Sequence, residues 1–348
     1  MGDGITRIAI LKAISKIKID DNDRDILYSW LNNYQDDLNI ISDIYKNKLQ
    51  FLLLKHLIEM KCCLGMNKSL GLQLSAQFAF LQNKYSTYLS TANSISKLFN
   101  ENNIPHCILK GISIINDLYT SNELIYRDFN DVDFLVSPSK TKLAKKLLEN
   151  INVIQGTVTE DMQILPASRK EIIFWSLNSH QEHRYIAESP FSHFSPWLFQ
   201  LIDINTTIFE GGKSVPQIST DYLLEHRINK HIKNDILIFS LRPEYEFIQL
   251  CYHFYKDTKY DIKKANNENF CLQKFCDIRE FILHFGKEID WTEFVKIVNE
   301  FNIGDQIYYS LYIVSSFYGD LGIEEILKEI KTTHLFSIGF LDWKRMLL

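Results

Sequence analysis

Asp131 and Asp133 stand one residue apart, directly ahead of an apolar run, in the stretch YRDFNDVDFLV (residues 126–136). In an extended chain alternate side chains share a face. The two carboxylates therefore project together, while Val132, Phe134 and Val136 project the other way. Their Cα atoms are about 6.5–7 Å apart in such a strand. Left alone at close range the two charges repel, and one tends to hold a proton. Mg²⁺, which takes carboxylate oxygens and keeps positions for substrate phosphates and water, removes that penalty. A third carboxylate, Asp203, sits inside the apolar run FQLIDINTTI between Ile202 and Ile204, where a charge is costly to bury unless paired or liganded. If its strand lies beside that of Asp131 and Asp133, three carboxylates meet in one cleft. That is the ligand set of a two-metal phosphoryl- or nucleotidyl-transfer site. The plain alternative for the pair alone is a polar loop end before a strand.

Upstream, LKGIS (residues 109–113) offers a place for phosphate. Gly111 allows a close backbone turn, and the amides of Ile112 and Ser113 open a helix whose N-terminus favours anions. The Ser113 hydroxyl and Lys110 can add direct contacts. Arg127, four residues before Asp131, either clamps a phosphate or pairs with an aspartate. EGGKS (residues 210–214) is not a phosphate-binding P-loop. The pattern needs glycine at 207, where Thr207 stands, so this stretch reads as a strand-end turn.

The elements that must hold these groups follow from periodicity. Residues 36–66 and 70–103 repeat apolar side chains at helical spacing, Asn102 and Asn103 offer a stop, and Pro105 forces an extended chain. HCIL reads as a strand, KGISIINDLY as a turn into a helix, and DVDFLV as a strand. SPSKTKLAKKLLEN reads as an amphipathic helix with Leu143, Leu147 and Leu148 inward. EIIFWSL, RYIAE and FQLIDINTTI carry the β-branched and aromatic content of strands. Beyond Pro216 come a short helix, the strand-like DILIFSL, and helices opening at Pro243 and Asp290. The division expected is a helical region over 1–102, a mixed core over 103–216 and a mainly helical domain over 217–348.

The 348 residues carry a net charge of -5 and are 46% hydrophobic, so no global charge draws the chain to nucleic acid or an anionic membrane. No apolar stretch reaches the roughly 20 residues that span a bilayer. Six cysteines without metal-ligand spacing, and no secretory apolar segment at the start, point to reduced thiols and a cytoplasmic location.

Taken together, ILKGISIINDLY…YRDFNDVDFLVSPSKTKLAKKLLE resembles the glycine-containing turn and D-x-D strand of the DNA polymerase β-like nucleotidyltransferase superfamily. More narrowly, it is similar to a family of uncharacterised bacterial nucleotidyltransferases. Lys110-Gly111, Arg127, Asp131 and Asp133, Asp203, Pro243-Glu244, His253 and Asp290-Trp291 carry that likeness over roughly residues 70–320. Two departures are the serine displaced to Gly111-Ile112-Ser113 and the sequence DIN after Ile202. The resemblance implies an α+β fold with an α/β core, a mixed sheet flanked by helical N- and C-terminal regions. It also implies a nucleotidyltransferase with Asp131, Asp133 and Asp203 as catalytic, metal-holding residues, and two Mg²⁺ ions for which Mn²⁺ can substitute. The co-substrate is an NTP, by default ATP, and in-line attack on its α-phosphate expels pyrophosphate. Lys110, Gly111, Ser113, Arg127, His253 and Lys256 are the candidate nucleotide contacts. His253 and Lys256 read equally as a core histidine and a surface lysine one helical turn apart. The acceptor is a hydroxyl on a small molecule, peptide or protein, favoured over RNA by the acidic net charge. A tRNA-directed toxin-like transferase and a silent nucleotide-binding protein are the alternatives.

Overall fold

The structure, a computed structural model, describes residues 6–32, 38–61, 68–189, 199–209, 218–232, 236–259, 271–319 and 321–333. The turn expected at 210–214, and Cys62 and Cys63, lie outside these residues. In chain order the elements are α1 (Arg7–Ile14), α2 (Asp21–Asn32), α3 (Leu38–Lys46), α4 (Gln50–Glu59), α5 (Lys68–Glu101), β1 (His106–Leu109) and α6 (Lys110–Leu118). There follow β2 (Thr120–Ser121), β3 (Leu124–Ile125), β4 (Asp131–Val136), α7 (Thr141–Asn150), β5 (Ile154–Val158), β6 (Ile164–Pro166), α8 (Arg169–Asn178), β7 (Tyr185–Ala187) and β8 (Gln200–Asn205). The chain continues through α9 (Thr220–Glu225), β9 (Ile228–Ile232), β10 (Ile236–Ser240), α10 (Pro243–Lys259), α11 (Leu272–Phe285), α12 (Trp291–Glu300), α13 (Gly304–Tyr318) and α14 (Glu324–Glu329). This is the mixed α+β architecture expected.

Two compact units form, each from separated stretches of chain: Met1–Gln82, Asp117–Asp128 and Leu250–Leu348 in one, Asn83–Asn116 and Phe129–Gln249 in the other. The first is mainly helical. The helix expected to run through residues 36–66 is broken there into α3 and α4, with Lys48 in the left-handed region at φ 56 between them. Among the described residues no helix is long and apolar enough to cross a membrane.

The second unit holds a six-stranded sheet in the order β1-β4-β8-β7-β5-β6. β4 and β8 run parallel, and every other neighbouring pair is antiparallel. β4 is buried along most of its length, with Val132, Phe134, Leu135 and Val136 fully enclosed, as a strand covered on both faces requires. Phe99 of α5 packs edge-on against Phe134 and His106, and His106 meets Phe239 of β10. α5 also fixes where the two aspartate-bearing strands begin. The Tyr88 hydroxyl lies within hydrogen-bond reach of the Asn130 and Phe199 carbonyls and accepts from the Leu201 amide. The four described cysteines are free and buried.

Two local expectations change. EIIFWSL is not a strand but the body of α8, because Ser168 and Glu171 form a capping box. The Ser168 hydroxyl accepts from the Glu171 amide, and the Glu171 carboxylate accepts from the Ser168 amide. That reciprocal satisfaction of N-terminal amides outweighs the β-branched content of the segment. In α7, Ala144 and Leu148 face the core while Leu143 is exposed, a rotation of the expected stripe.

His106 opens β1 in full burial, its Nδ1 2.9 Å from the Ile104 carbonyl oxygen. Burial lowers its pKa from 6.5 to about 4. The folded state thus resists a proton that the unfolded chain accepts, so this stability is complete above pH 6.5 and drains as pH falls toward 4. The loss at the acid end is on the order of 3 kcal/mol. His106→Phe, which keeps the ring contacts, should flatten the acid limb of urea-unfolding stability measured between pH 7 and 4. An unchanged limb would assign the acid sensitivity elsewhere.

Candidate active site

The β4–β8 register places Asp133 directly beside Asp203, with Asp131 beside Leu201. Parallel neighbours lie about 4.8 Å apart and present the same face at paired positions. Asp131, Asp133 and Asp203 therefore share one face of the sheet, and all three belong to the second unit. Their side chains grade in accessibility, from 33% for Asp131 to 7% for Asp133 and 5% for Asp203.

Among the described residues, two cations pair with this acidic face. Lys110 Nζ donates to Asp133 Oδ1 at 3.1 Å, and Asn205 Nδ2 donates to the same oxygen at 3.1 Å. Arg184 donates from Nε and Nη2 to the two oxygens of Asp203 at 2.9 and 3.0 Å, and from Nη2 to Asp131 Oδ2 at 3.4 Å. A bidentate pair of this kind is among the stronger charge-assisted contacts. Both cations are held in the charged state: the pKa of Lys110 is raised by its carboxylate partners in spite of burial, and that of Arg184 is raised, first by its hydrogen bonds to Asp203.

The start of α6 has a different construction from the one expected. The left-handed conformation falls on Lys110, at φ 50, while Gly111 is not among the residues with positive φ. A non-glycine residue in this region costs on the order of 1 kcal/mol or more. Its result is that the chain reverses from β1 into α6 while the lysine side chain reaches Asp133. Ser113 is also placed otherwise. It is fully buried, its hydroxyl donates to the Glu246 carboxylate and lies 2.9 Å from Ser240 Oγ, and its carbonyl accepts from Lys230 at 2.6 Å. The phosphate contact expected of Ser113 gives way to an internal one, because the buried Glu246 carboxylate needs donors.

Arg127, His253 and Lys256 lie in the first unit. Arg127 makes a buried bidentate pair with Asp277, 2.7 Å on each arm, and Tyr119 donates to the same carboxylate at 2.6 Å. Of the two roles open to Arg127, pairing with an aspartate is the one formed, with Asp277. His253 Nε2 is 3.6 Å from Asp257 Oδ2, and Lys256 on the next turn is half-buried. Arg184 and Asn205 carried no signal as site residues in the sequence. Arg184 becomes visible only when the β7–β8 register, Tyr185 opposite Ile202, is extended by one residue to set it across from Asp203.

Among the described residues no three His, Cys, Asp or Glu side chains close round a common point as a finished metal cage. The aspartates instead turn toward Arg184 and Lys110, which stand in for a cation. The donor set nevertheless fits a hard divalent ion: every ligand is a carboxylate oxygen, and among the described residues three carboxylates share Lys110 and Arg184 as ion-pair partners.

The crowding of carboxylates is felt at Asp131, whose pKa is raised from 3.8 to about 6 by burial and by the Asp133 and Asp203 charges, against the opposing pull of Arg184 and Lys110. Between pH 4 and 6 the folded state then binds more protons at this position than the unfolded chain. Stability falls as pH rises through that window, and the cost is complete above it. Asp131→Asn should therefore stabilise the protein in EDTA at pH 8, by on the order of 1 kcal/mol after allowance for solvent screening. The difference should vanish below pH 4 in urea titrations. A less stable variant at pH 8 would mean that the Arg184 contact outweighs the repulsion.

Comparison with solved structures finds, among others, the crystal structure of an antigenic nucleotidyltransferase-like protein from Paracoccidioides brasiliensis. It is 16% identical, with 72% of this chain and 97% of that one covered and a TM-score of 0.37. Comparison with functionally curated proteins finds no match. A family model described as "Uncharacterised nucleotidyltransferase" matches residues 39–319, which takes in the β1–α6 turn, both aspartate strands and Arg184. By that match over most of its length, the chain belongs to this family of nucleotidyltransferases.

Proposed function

We propose that the protein moves a nucleoside monophosphate from an NTP, by default ATP, to an acceptor hydroxyl on a small molecule, peptide or protein, with release of pyrophosphate. The observation that carries this reading is the register that aligns Asp133 with Asp203 and brings Asp131 onto the same face, in a chain of nucleotidyltransferase family. In the reaction the acceptor oxygen bonds to the α-phosphorus, the bond from that phosphorus to the α,β-bridging oxygen breaks, and the electron pair leaves on pyrophosphate. The acceptor proton passes to a carboxylate of the trio, assigned to Asp203.

Asp131, Asp133 and Asp203 would hold divalent ions, Mg²⁺ by default, which supply charge stabilisation to the triphosphate and the attacking oxygen. Lys110 adds a fixed positive charge at the Asp133 side, already oriented by its 3.1 Å contact, where preorganised charge is most effective. Asn205 holds Asp133 in place through a donor that cannot titrate. ATP as donor rests on its abundance. The preference for a small or protein acceptor over RNA rests on the net charge of -5.

The test supplies each NTP labelled on its α-phosphorus, with Mg²⁺ and a cell lysate, and separates RNA, protein and small molecules afterwards. Label should enter the protein or small-molecule fraction. Asp131→Ala with Asp133→Ala should lower transfer by a factor on the order of 100 or more, as expected when the charge-stabilising centre is lost. Label in RNA would identify the RNA-directed alternative. No transfer into any fraction would favour a silent nucleotide-binding protein.

A further inference from the structure

Arg184 meets two of the three aspartates, and the aspartate chemistry leaves it unassigned. Its main chain is fixed. The Arg184 carbonyl accepts from the Gly156 amide at 3.1 Å, Gln155 Nε2 donates to the preceding carbonyl of His183 at 3.1 Å, and Tyr185 pairs with both Gln155 and Ile202. Gly156 sits so close to β6 that a Cβ there would meet the Leu165 oxygen at 2.4 Å, so this anchorage is tight. The side chain is the opposite case: it is 42% exposed and rests on two carboxylates at once.

A side chain with a pinned backbone and a solvent-open guanidinium can exchange partners without moving the sheet. Its fork fits phosphate as well as it fits carboxylate. It also occupies the coordination that a divalent ion would require, since both oxygens of Asp203 and one of Asp131 are spent on it. Lys110 differs on each point: it contacts one carboxylate oxygen and is largely enclosed.

We propose that Arg184 is the resident counterion of the aspartate face, and that it is displaced from Asp131 and Asp203 by the divalent ion and then engages the triphosphate of the incoming nucleotide. It alternates between two anionic partners, so that in the free site a counterion stands where the metal would bind. This inference rests on the metal-dependent reading above.

The test uses the full chain and two ligands measured separately: Mn²⁺ alone, by the loss of its free electron-spin signal, and a non-hydrolysable ATP analogue with Mg²⁺, by calorimetry. Arg184→Ala should bind Mn²⁺ alone about 5–10 times more tightly, since a competitor for the carboxylates is gone. It should bind the analogue about 10 times more weakly, since a phosphate contact is lost. Arg184→Lys should fall between the two on both measurements, and it serves where the alanine variant does not fold. A merely structural arginine would move both affinities the same way. Mn²⁺ affinity that is unchanged or lower in Arg184→Ala and Arg184→Lys would overturn the proposal. Asp133→Asn separates the two levels of argument: if it leaves Mn²⁺ binding intact, the metal reading itself fails. If it abolishes binding while the Arg184 variants do not tighten it, only the exchange fails.

Discussion

The structure turns on one register: β4 and β8 run parallel with Asp133 beside Asp203. Two carboxylates at a separation on the order of 5 Å repel by roughly 3 kcal/mol at an effective dielectric near 20, and Asp131 adds a third charge on the same face. A sheet does not tolerate that pairing unless the surroundings answer it. The answer is visible on three sides. Apolar residues of β4 bury the opposite face and fix the strand, Tyr88 ties the starts of both strands to α5, and Lys110, Arg184 and Asn205 place donors against the acids. Shifting β8 by one residue would turn Asp203 to the other face, so the apolar pattern of the core enforces the chemistry of the cleft.

Strain and satisfaction are divided between neighbouring residues of the β1–α6 turn. Lys110 takes the left-handed backbone at φ 50 and delivers its ammonium to Asp133. Three residues on, Ser113 points inward and binds Glu246, which also contacts Ser240 and Lys230. That buried polar cluster holds the first turn of α6 against the start of α10 and the β9–β10 hairpin. The helix can then bear the strain at its first residue without unwinding, because the next turn is anchored by charge-assisted bonds. Residues that looked interchangeable in LKGIS thus have opposite tasks, one exposed to the acids and one committed to the interior.

The acids were legible in the sequence because their signal is local. An aspartate at every second position before an apolar run declares its own face, and an aspartate inside FQLIDINTTI is conspicuous by its cost. The partners of those acids were not legible, because each depends on a pairing made far along the chain. Arg184 lies 19 residues before Asp203 and 53 after Asp131, and only the β7–β8 register brings it near. α8 was misread for a related reason: the capping box of Ser168 and Glu171 is a two-residue device, and the apolar content of the intervening segment masked it. Ser113 shows the reverse limit. A serine after a glycine reads as a phosphate contact until the buried Glu246, 133 residues away, claims its proton.

The gradation in exposure gives the site a direction. Asp133 and Asp203 are enclosed, and Lys110 and Asn205 close round Asp133 from the interior side. Asp131 and Arg184 lie at the open edge. Charges on the closed side have been desolvated during folding, so they need no reorganisation when a ligand arrives. Groups at the open edge keep some solvent and can change partner at small cost. On the proposed reading, a triphosphate approaching from the Asp131 edge would meet Asp131 and Arg184 before the more enclosed Asp133 and Lys110. The acid whose pKa is pushed up by its neighbours, Asp131, is also the most exposed of the three.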